Sequence, residues 1–448
     1  MTSLAAAVDR VMPSVRADLE RLVRIPSVSA SGFDYGPLDE SAALTASLLS
    51  GCGLDARIVS AGGRPAVLAT RPGPPGAPTV LLYAHHDVQP AGSLDDWESD
   101  PFEPVERDGR LYARGAADDK AGVMVHVAAL RALGPVPLGV AVFIEGEEEY
   151  GTGATPRLLA AHREELAADV TVVADVGNWA VGVPALTTTL RGHVTADVAV
   201  RALTHSVHSG MYGGVVPDAV TALCRLIATF HDDSGNITIR GLRRGGTPSV
   251  EYDLDRLRTE TGAIGPFLGD GSSAAAQIWS SPAVTILGMD VPSRSGARSA
   301  LEPTATAIVS LRIAPDEDPL AAFDLLREHV LANVPWGVEV TVTRRGAAPG
   351  FSVDPAAPVQ SLMLECLREA WDGVEPVIAG SGGSIPLLRH LQELFPSTAV
   401  VLTGVEDPDT RAHSPNESLH LGEFRRACLA EALLLSRLAT SGRSTTAS

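Results

Sequence analysis

The sequence predicts an α/β protein: a domain with a mainly parallel sheet flanked by helices, interrupted by a smaller ferredoxin-like α+β domain. Three observations carry that expectation. In the first half, apolar strand-like runs alternate with helical patterns at a period of about 30 residues, the βαβ unit of a parallel sheet. Past Arg191 the order becomes β-α-β-β-α-β, the ferredoxin-like succession. After Gly350 helical and strand patterns resume, so the insertion, residues 189–348, splits one domain into residues 1–188 and 349–448.

Each element has its own signal. Leu4, Val8, Val11, Val15, Leu19 and Leu22 recur at helical spacing and predict a first amphipathic helix. That segment lacks the basic start and apolar core of a secretory signal. Thr79–Tyr83 is an apolar strand running into His85; Leu138–Ile144 leads to Glu148 and Glu149, and Asp169–Ala174 to Asp175. Ala121–Leu133 and Pro156–Leu166 are helical patterns between them. In the insertion, Val194–Val200 alternates, Pro217–Phe230 is helical, Ala283–Leu287 and Ala305–Ile313 are strands, Pro319–Val334 is helical and Val338–Thr343 is a strand. Asp232–Ser281 gives mixed signals and no element. The last part holds helices at Val359–Trp371 and Leu387–Leu394, a strand at Thr398–Leu402 and a helix at Gly422–Leu438, with a tail, Ala439–Ser448, expected to be disordered.

Composition excludes some functions. The formal charge of −19 disfavours nucleic acid, whose phosphates need a basic surface. No apolar run reaches the roughly 18 residues of a membrane span, so no membrane role is expected. Cys52, Cys224, Cys366 and Cys428 lie far apart without a C-x-x-C pair, and are expected as buried free thiols in a reducing compartment, the cytoplasm. Lys120 is the sole lysine.

Chemistry concentrates at the predicted strand ends. His85, Asp118, Glu149 and Asp175 follow one another at intervals of 33, 31 and 26 residues, close to the βαβ period. In open α/β sheets the ligand crevice lies at the carboxyl ends of the strands, so this spacing gathers the four side chains at one sheet edge. In VLLYAHHDVQP, alternate side chains of an extended chain share a face, which puts His85 with Asp87 and turns His86 away. A ligating imidazole commonly donates its second N–H to a carboxylate, a partner that Asp87 supplies. Asp118 or Asp119, taken alone, reads as a helix cap; taken with His85 one βαβ unit upstream, as a ligand. In EGEEEYGTG, three consecutive glutamates at a strand end repel one another unless cations or protons intervene. One can bind metal while its neighbour accepts a proton from water. His413 follows the last strand in a polar loop. Two histidines with several carboxylates make a mixed nitrogen and oxygen site, suited to zinc, manganese or cobalt. Ser384 resembles the N-cap of the next helix, after a glycine run whose free amides can hold a carboxylate. His208 stands among glycines in SVHSGMYGG, and Arg312 in the strand IVSLRI. No G-x-S-x-G elbow, phosphate-binding lysine loop or dinucleotide fingerprint occurs.

Taken in order, YAHHDVQP, RGAADDKAG, EGEEEYGTG, VVADVGN, VHSGMYGG, SLRIAP, GSGGSIP and AHSPNES resemble the M20 metallopeptidase family, the carnosinase and bacterial dipeptidase group. The resemblance implies a catalytic domain interrupted by a lid and dimerisation domain. It implies two divalent ions per chain, most simply zinc, about 3.5 Å apart and sharing one carboxylate. His85, Asp118 and Asp175 would hold one ion and Asp118, Glu149 and His413 the other, with Glu148 as general base and Asp87 as the supporting carboxylate. His208, Arg312, Gly383 and Ser384 would bind the substrate, with His208 reaching the partner's site in a homodimer. The implied activity is amide hydrolysis of dipeptides or small peptides. An N-acyl-amino-acid deacylase would use the same site, and a metal-binding protein without turnover would lack the base that Glu148 provides. Gly380 stands where such relatives often carry arginine, and RSALEP where many carry asparagine; both departures bear on the substrate.

Overall fold

The computed structural model describes residues 3–246, 248–268, 273–383 and 385–441. The chain divides into two compact units. One comprises Met1–Thr188, Val353–Ala379 and Pro386–Ser448; the other comprises Thr189–Ser352 and Gly380–Ile385.

The first unit is built on a mixed sheet whose strands lie in the order Asp55–Val59, Ala66–Arg71, Gly139–Glu145, Thr79–His85, Val170–Val173, Ala399–Leu402 and Ala185–Leu190. Its centre, from Gly139–Glu145 to Ala399–Leu402, is parallel. The flanking pairs are antiparallel. The central strands are buried along their length, which explains their unbroken apolar runs. Helix Lys120–Leu133 is buried from Lys120 to Leu130, packed between strand Thr79–His85 and helices Leu4–Val23 and Leu421–Ser441. A further small sheet joins Val105–Arg107, Arg110–Tyr112 and Ser418–His420.

Several local readings need correction. Helix Gly36–Ser50 and the antiparallel strands Asp55–Val59 and Ala66–Arg71 carry no signal strong enough to place them from sequence; that helix lacks a side-chain cap and begins with glycine and proline. The pattern at Pro156–Leu166 is two short helices, Thr155–Ala161 and Arg163–Leu166, separated at His162. Ala439 to Ser441 continue the last helix rather than a tail, and the rest of that expected tail lies outside the described residues. Cys366 and Cys428 are buried, but Cys52 is half-buried and Cys224 exposed; all four are free.

The second unit contains Gly192–Arg201, Ala219–Ala228, Ala283–Asp290, Thr304–Ile313, Pro319–Ala332 and Glu339–Ala348, in the succession β-α-β-β-α-β. Its four strands form an antiparallel sheet in which Thr304–Ile313 and Gly192–Arg201 are central and Ala283–Asp290 is an edge. One face packs on the two helices around Val198, Leu223, Val309 and Leu326. Helices Leu254–Thr261 and Ala274–Trp279 occupy the stretch that gave mixed signals; both are too short to show a clear period.

Candidate metal centre

The carboxyl ends of the parallel strands place the site. Strand Thr79–His85 ends on His85; Gly139–Glu145 and Val170–Val173 continue into Glu147–Glu149 and Asp175; the chain after Ala399–Leu402 returns to bring in His413. Asp118 comes from the loop ahead of helix Lys120–Leu133, and the Asp118–Asp119 peptide is cis. Neither aspartate caps that helix: Asp119 stands at the N-cap position without a side-chain cap bond, and its Oδ2 instead accepts the His85 amide at 3.1 Å.

Two groups of ligand-type atoms result, His85, Asp118 and Asp175 in one and Asp118, Glu149 and His413 in the other, each drawn within 4.8 Å. Asp118 is common to both and gives one oxygen to each. Its Oδ1 lies 3.2 Å from His85 Nε2, and its Oδ2 lies 3.0 Å from His413 Nε2. Asp175 Oδ1 is 3.6 Å from the same His85 nitrogen, and Glu149 Oε2 is 3.2 Å from the same His413 nitrogen. Glu149 Oε1 is buried without a partner. On its other oxygen Glu149 accepts Gln89 Nε2 at 2.7 Å, and Gln89 is held in turn by the Tyr150 hydroxyl at 2.9 Å.

Asp87 does more than the strand alternation suggests. Its Oδ1 is 3.4 Å from His85 Nδ1, which is closer, at 3.1 Å, to the Asp87 backbone carbonyl. The carboxylate also accepts the backbone amides of Glu148 and Glu149 and the Ser29 hydroxyl. It thereby ties the end of one strand to the glutamate turn after the next. His86 turns away, its Nε2 meeting the Pro65 carbonyl at 2.9 Å.

The electrostatics follow from burying so many carboxylates together. Burial raises Glu148 well above the usual carboxylate range, reinforced by the charge of Asp175. Burial likewise raises Asp175, partly offset by His85. Asp118 falls below the ordinary range because its bonds to His413 and His85 outweigh its burial. His413 is pushed up to about 11 by hydrogen bonds to Asp118 and Glu149. Glu147 is spent on structure: it accepts the amides of Arg64, Ala154 and Thr155 and the Thr152 hydroxyl, anchoring the start of helix Thr155–Ala161.

The remaining sequence candidates belong to the second unit. His208 lies on the short strand Val207–His208, paired with Ala300–Leu301, and its Nδ1 accepts the Gly210 amide at 3.0 Å. Arg312 lies on Thr304–Ile313 opposite His193. The Gly383 amide donates to the Ser381 hydroxyl at 3.1 Å. Ser384, and with it the N-cap reading, lies outside the described residues. A Cβ at Gly380 would come 2.6 Å from Thr189 Oγ1 and 2.8 Å from Trp279 Cβ, so a side chain there would require its neighbours to shift.

Comparison with known proteins points one way. A family model described as peptidase family M20/M25/M40 matches residues 81–437. The chain is similar to a cysteinylglycine-S-conjugate dipeptidase of Corynebacterium striatum, 38% identical over 370 residues, 80% of this chain and 81% of that protein. It is 26% identical over 461 residues to the Cys-Gly metallodipeptidase DUG1 of Saccharomyces cerevisiae, covering 95% of each chain. The crystal structure of human carnosine dipeptidase 1 superposes with a TM-score of 0.83 over 98% of both chains at 24% identity, a likeness of fold.

Proposed function

This chain belongs to peptidase family M20/M25/M40, and from that premise we propose that it is a two-metal dipeptidase, hydrolysing the amide bond of dipeptides or other small peptides. One observation carries the two-metal part: a single carboxylate, Asp118, sets one oxygen against each of two histidines. His85, Asp118 and Asp175 would hold one divalent ion, and Asp118, Glu149 and His413 the other. The residues fit such a pair. The donor set is mixed nitrogen and oxygen, as zinc, manganese and cobalt accept, and the buried, unpartnered Glu149 Oε1 calls for a cation. Zinc is the proposed ion. When bound, such ions supply Lewis acidity, polarising the scissile carbonyl and making water more acidic.

The chain's own residues supply the rest. Glu148 takes the proton from the attacking water and returns it to the leaving amine; its backbone, pinned by Asp87, holds it next to the ligand Glu149. Asp87 orients the His85 ring and fixes the backbone of Glu148 and Glu149, so the base and two ligands share one support. His208, Arg312, Gly383 and Ser384 are proposed to bind the substrate, on the strength of the motif match. A homodimer through the second unit is supported by its exposed apolar side chains, including Leu287 and Met289 on the edge strand, and Met211, Val215 and Trp336. The free cysteines support a reducing, cytoplasmic location. Among the described residues no helix is long and apolar enough to cross a membrane.

The test is mass spectrometry of a pooled panel of dipeptides, tripeptides and N-acyl amino acids. The panel is incubated with the metal-stripped chain and again with zinc, manganese or cobalt restored. Metal-dependent loss of dipeptides is expected. Loss of N-acyl substrates alone would make the enzyme a deacylase, and no turnover with any metal would overturn the reading as an enzyme.

A further inference from the structure

The motif AHSPNES holds, as its last residue but one, a glutamate that none of the roles above uses. Glu417 is fully buried, and its two oxygens accept four donors. Oε2 takes Arg114 Nη1 at 2.6 Å and the Gly115 amide at 3.0 Å. Oε1 takes the amides of Ala117 at 3.0 Å and of Asp118 itself at 3.1 Å. The loop that presents Asp118 is thus wrapped around a carboxylate from a segment 299 residues away. Arg114, also buried, extends the clamp: Nη2 reaches the carbonyls of Ser414 at 3.3 Å and Pro90 at 3.4 Å. The pair therefore joins the loop of Asp118 to the loop of His413 and to the chain just past His85.

The loop so held is not relaxed on its own. His413 and Asn416 have φ of 63° and 61°, a left-handed conformation that residues with a Cβ seldom adopt unless their surroundings impose it. His413 is itself largely exposed, so packing of its ring does not impose it. The fixed points are those on either side: the Arg114 bond to the Ser414 carbonyl, Asn416 bridging the Glu98 amide and the Asp96 carbonyl, and Glu417.

We propose that Glu417 is a positioning residue that fixes Asp118 against His413 and so sets the affinity of the ion held by Asp118, Glu149 and His413. The inference rests on the two-metal reading above. Glu417 touches neither substrate nor ion; it acts through the Asp118 amide and through the chain it shares with His413. Glu417→Gln keeps the shape but puts an NH2 where an acceptor stood, so either Arg114 and the Gly115 amide, or the amides of Ala117 and Asp118, lose their partner. Because His85 and Asp175 come from strands that Glu417 does not touch, the loss falls on one ion more than on the other.

The experiment is a calorimetric zinc titration of the metal-free full chain. His413→Ala, which removes a ligand from one group only, identifies which binding event belongs to which group. In Glu417→Gln the ion of the His413 group is expected to weaken tenfold or more, the scale of lost outer support, with the other ion within about threefold of wild type. Hydrogen exchange of the metal-free chains gives a readout that needs no ion. The amides on the oxygen that becomes NH2, that of Gly115 or those of Ala117 and Asp118, should exchange at least about tenfold faster, with Val170–Val173 unchanged. If Glu417→Gln does not fold, Arg114→Lys keeps the charge and removes the fork, and the same split is expected. Wild-type affinities in the variant, or equal weakening of both ions with faster exchange throughout, would overturn the proposal. A wild-type chain that does not take up two ions would instead refute the two-metal reading, and the exchange data alone would then decide whether Glu417 holds the loop.

Discussion

Glu147, Glu148 and Glu149 are neighbours in sequence and meet three different environments. Glu147 is consumed by five hydrogen bonds, from Arg64 and from the residues at a helix start, Glu149 faces His413, and Glu148 is left with a raised pKa and its backbone pinned by Asp87. Replacing Glu148 by Gln should leave the uptake of two ions unchanged and lower turnover by about 10²- to 10⁴-fold, the usual worth of a general base. Metal analysis alongside steady-state kinetics checks both halves, and near-normal turnover would remove Glu148 from that role. Residues such as His85 and Asp87 were legible in the sequence because their meaning is local: a strand end and an alternation of two. The Arg114–Glu417 pair was not: each residue lies in a quoted motif, RGAADDKAG or AHSPNES, but nothing local shows that they meet across 303 residues. Gln89 escaped for a related reason, since a glutamine in a turn says nothing until Glu149 is seen beside it.

At the scale of elements, the helix Lys120–Leu133 holds the site end of the sheet. Gly122 sits where any Cβ would come 2.5 Å from the Ala174 carbonyl and 2.2 Å from Asp119 Oδ1. Gly122→Ala should therefore push the helix start off the strand end, costing on the order of 1–3 kcal/mol as an overpacked substitution. Urea unfolding measures it, and an unchanged midpoint would show that the helix start yields freely. Further along the same helix, buried His126 sets Nδ1 2.9 Å from the Glu431 carboxylate and Nε2 2.9 Å from the Tyr83 carbonyl. Burial disfavours its charged form, but the Glu431 charge and hydrogen bonds win, and its pKa is raised. A raised folded pKa contributes stability that is full below the unfolded value of about 6.5 and is lost as pH rises through the folded one. The cost of His126→Leu should thus be larger at pH 6 than at pH 9, and an equal cost at both would show that the pair is not charged. The parallel centre of the sheet was readable because doubly covered strands are unbroken apolar runs, whereas the edge strand Asp55–Val59, partly exposed, has no such contrast.

For the whole molecule, the ferredoxin-like succession follows from where the periodic patterns stop and restart, whereas the grouping of Gly380–Ile385 with Thr189–Ser352 is marked by no such break. The insertion's helices Leu254–Thr261 and Ala274–Trp279 stayed hidden because each spans only about two turns. The chain carries a net charge of −19 and concentrates several carboxylates in one buried place, so ion binding should be coupled to stability. Two sites at 100 times their dissociation constants would add about 5 kcal/mol to the folded state. Thermal unfolding should shift upward by several degrees when zinc, manganese or cobalt replaces chelator, and no shift with any of the three would argue against tight ions. The central claim, two ions sharing Asp118, is tested most directly by anomalous diffraction from crystals of the zinc-loaded chain. Two peaks are expected, one among His85, Asp118 and Asp175 and one among Asp118, Glu149 and His413. A single peak, or ions bound elsewhere, would contradict it.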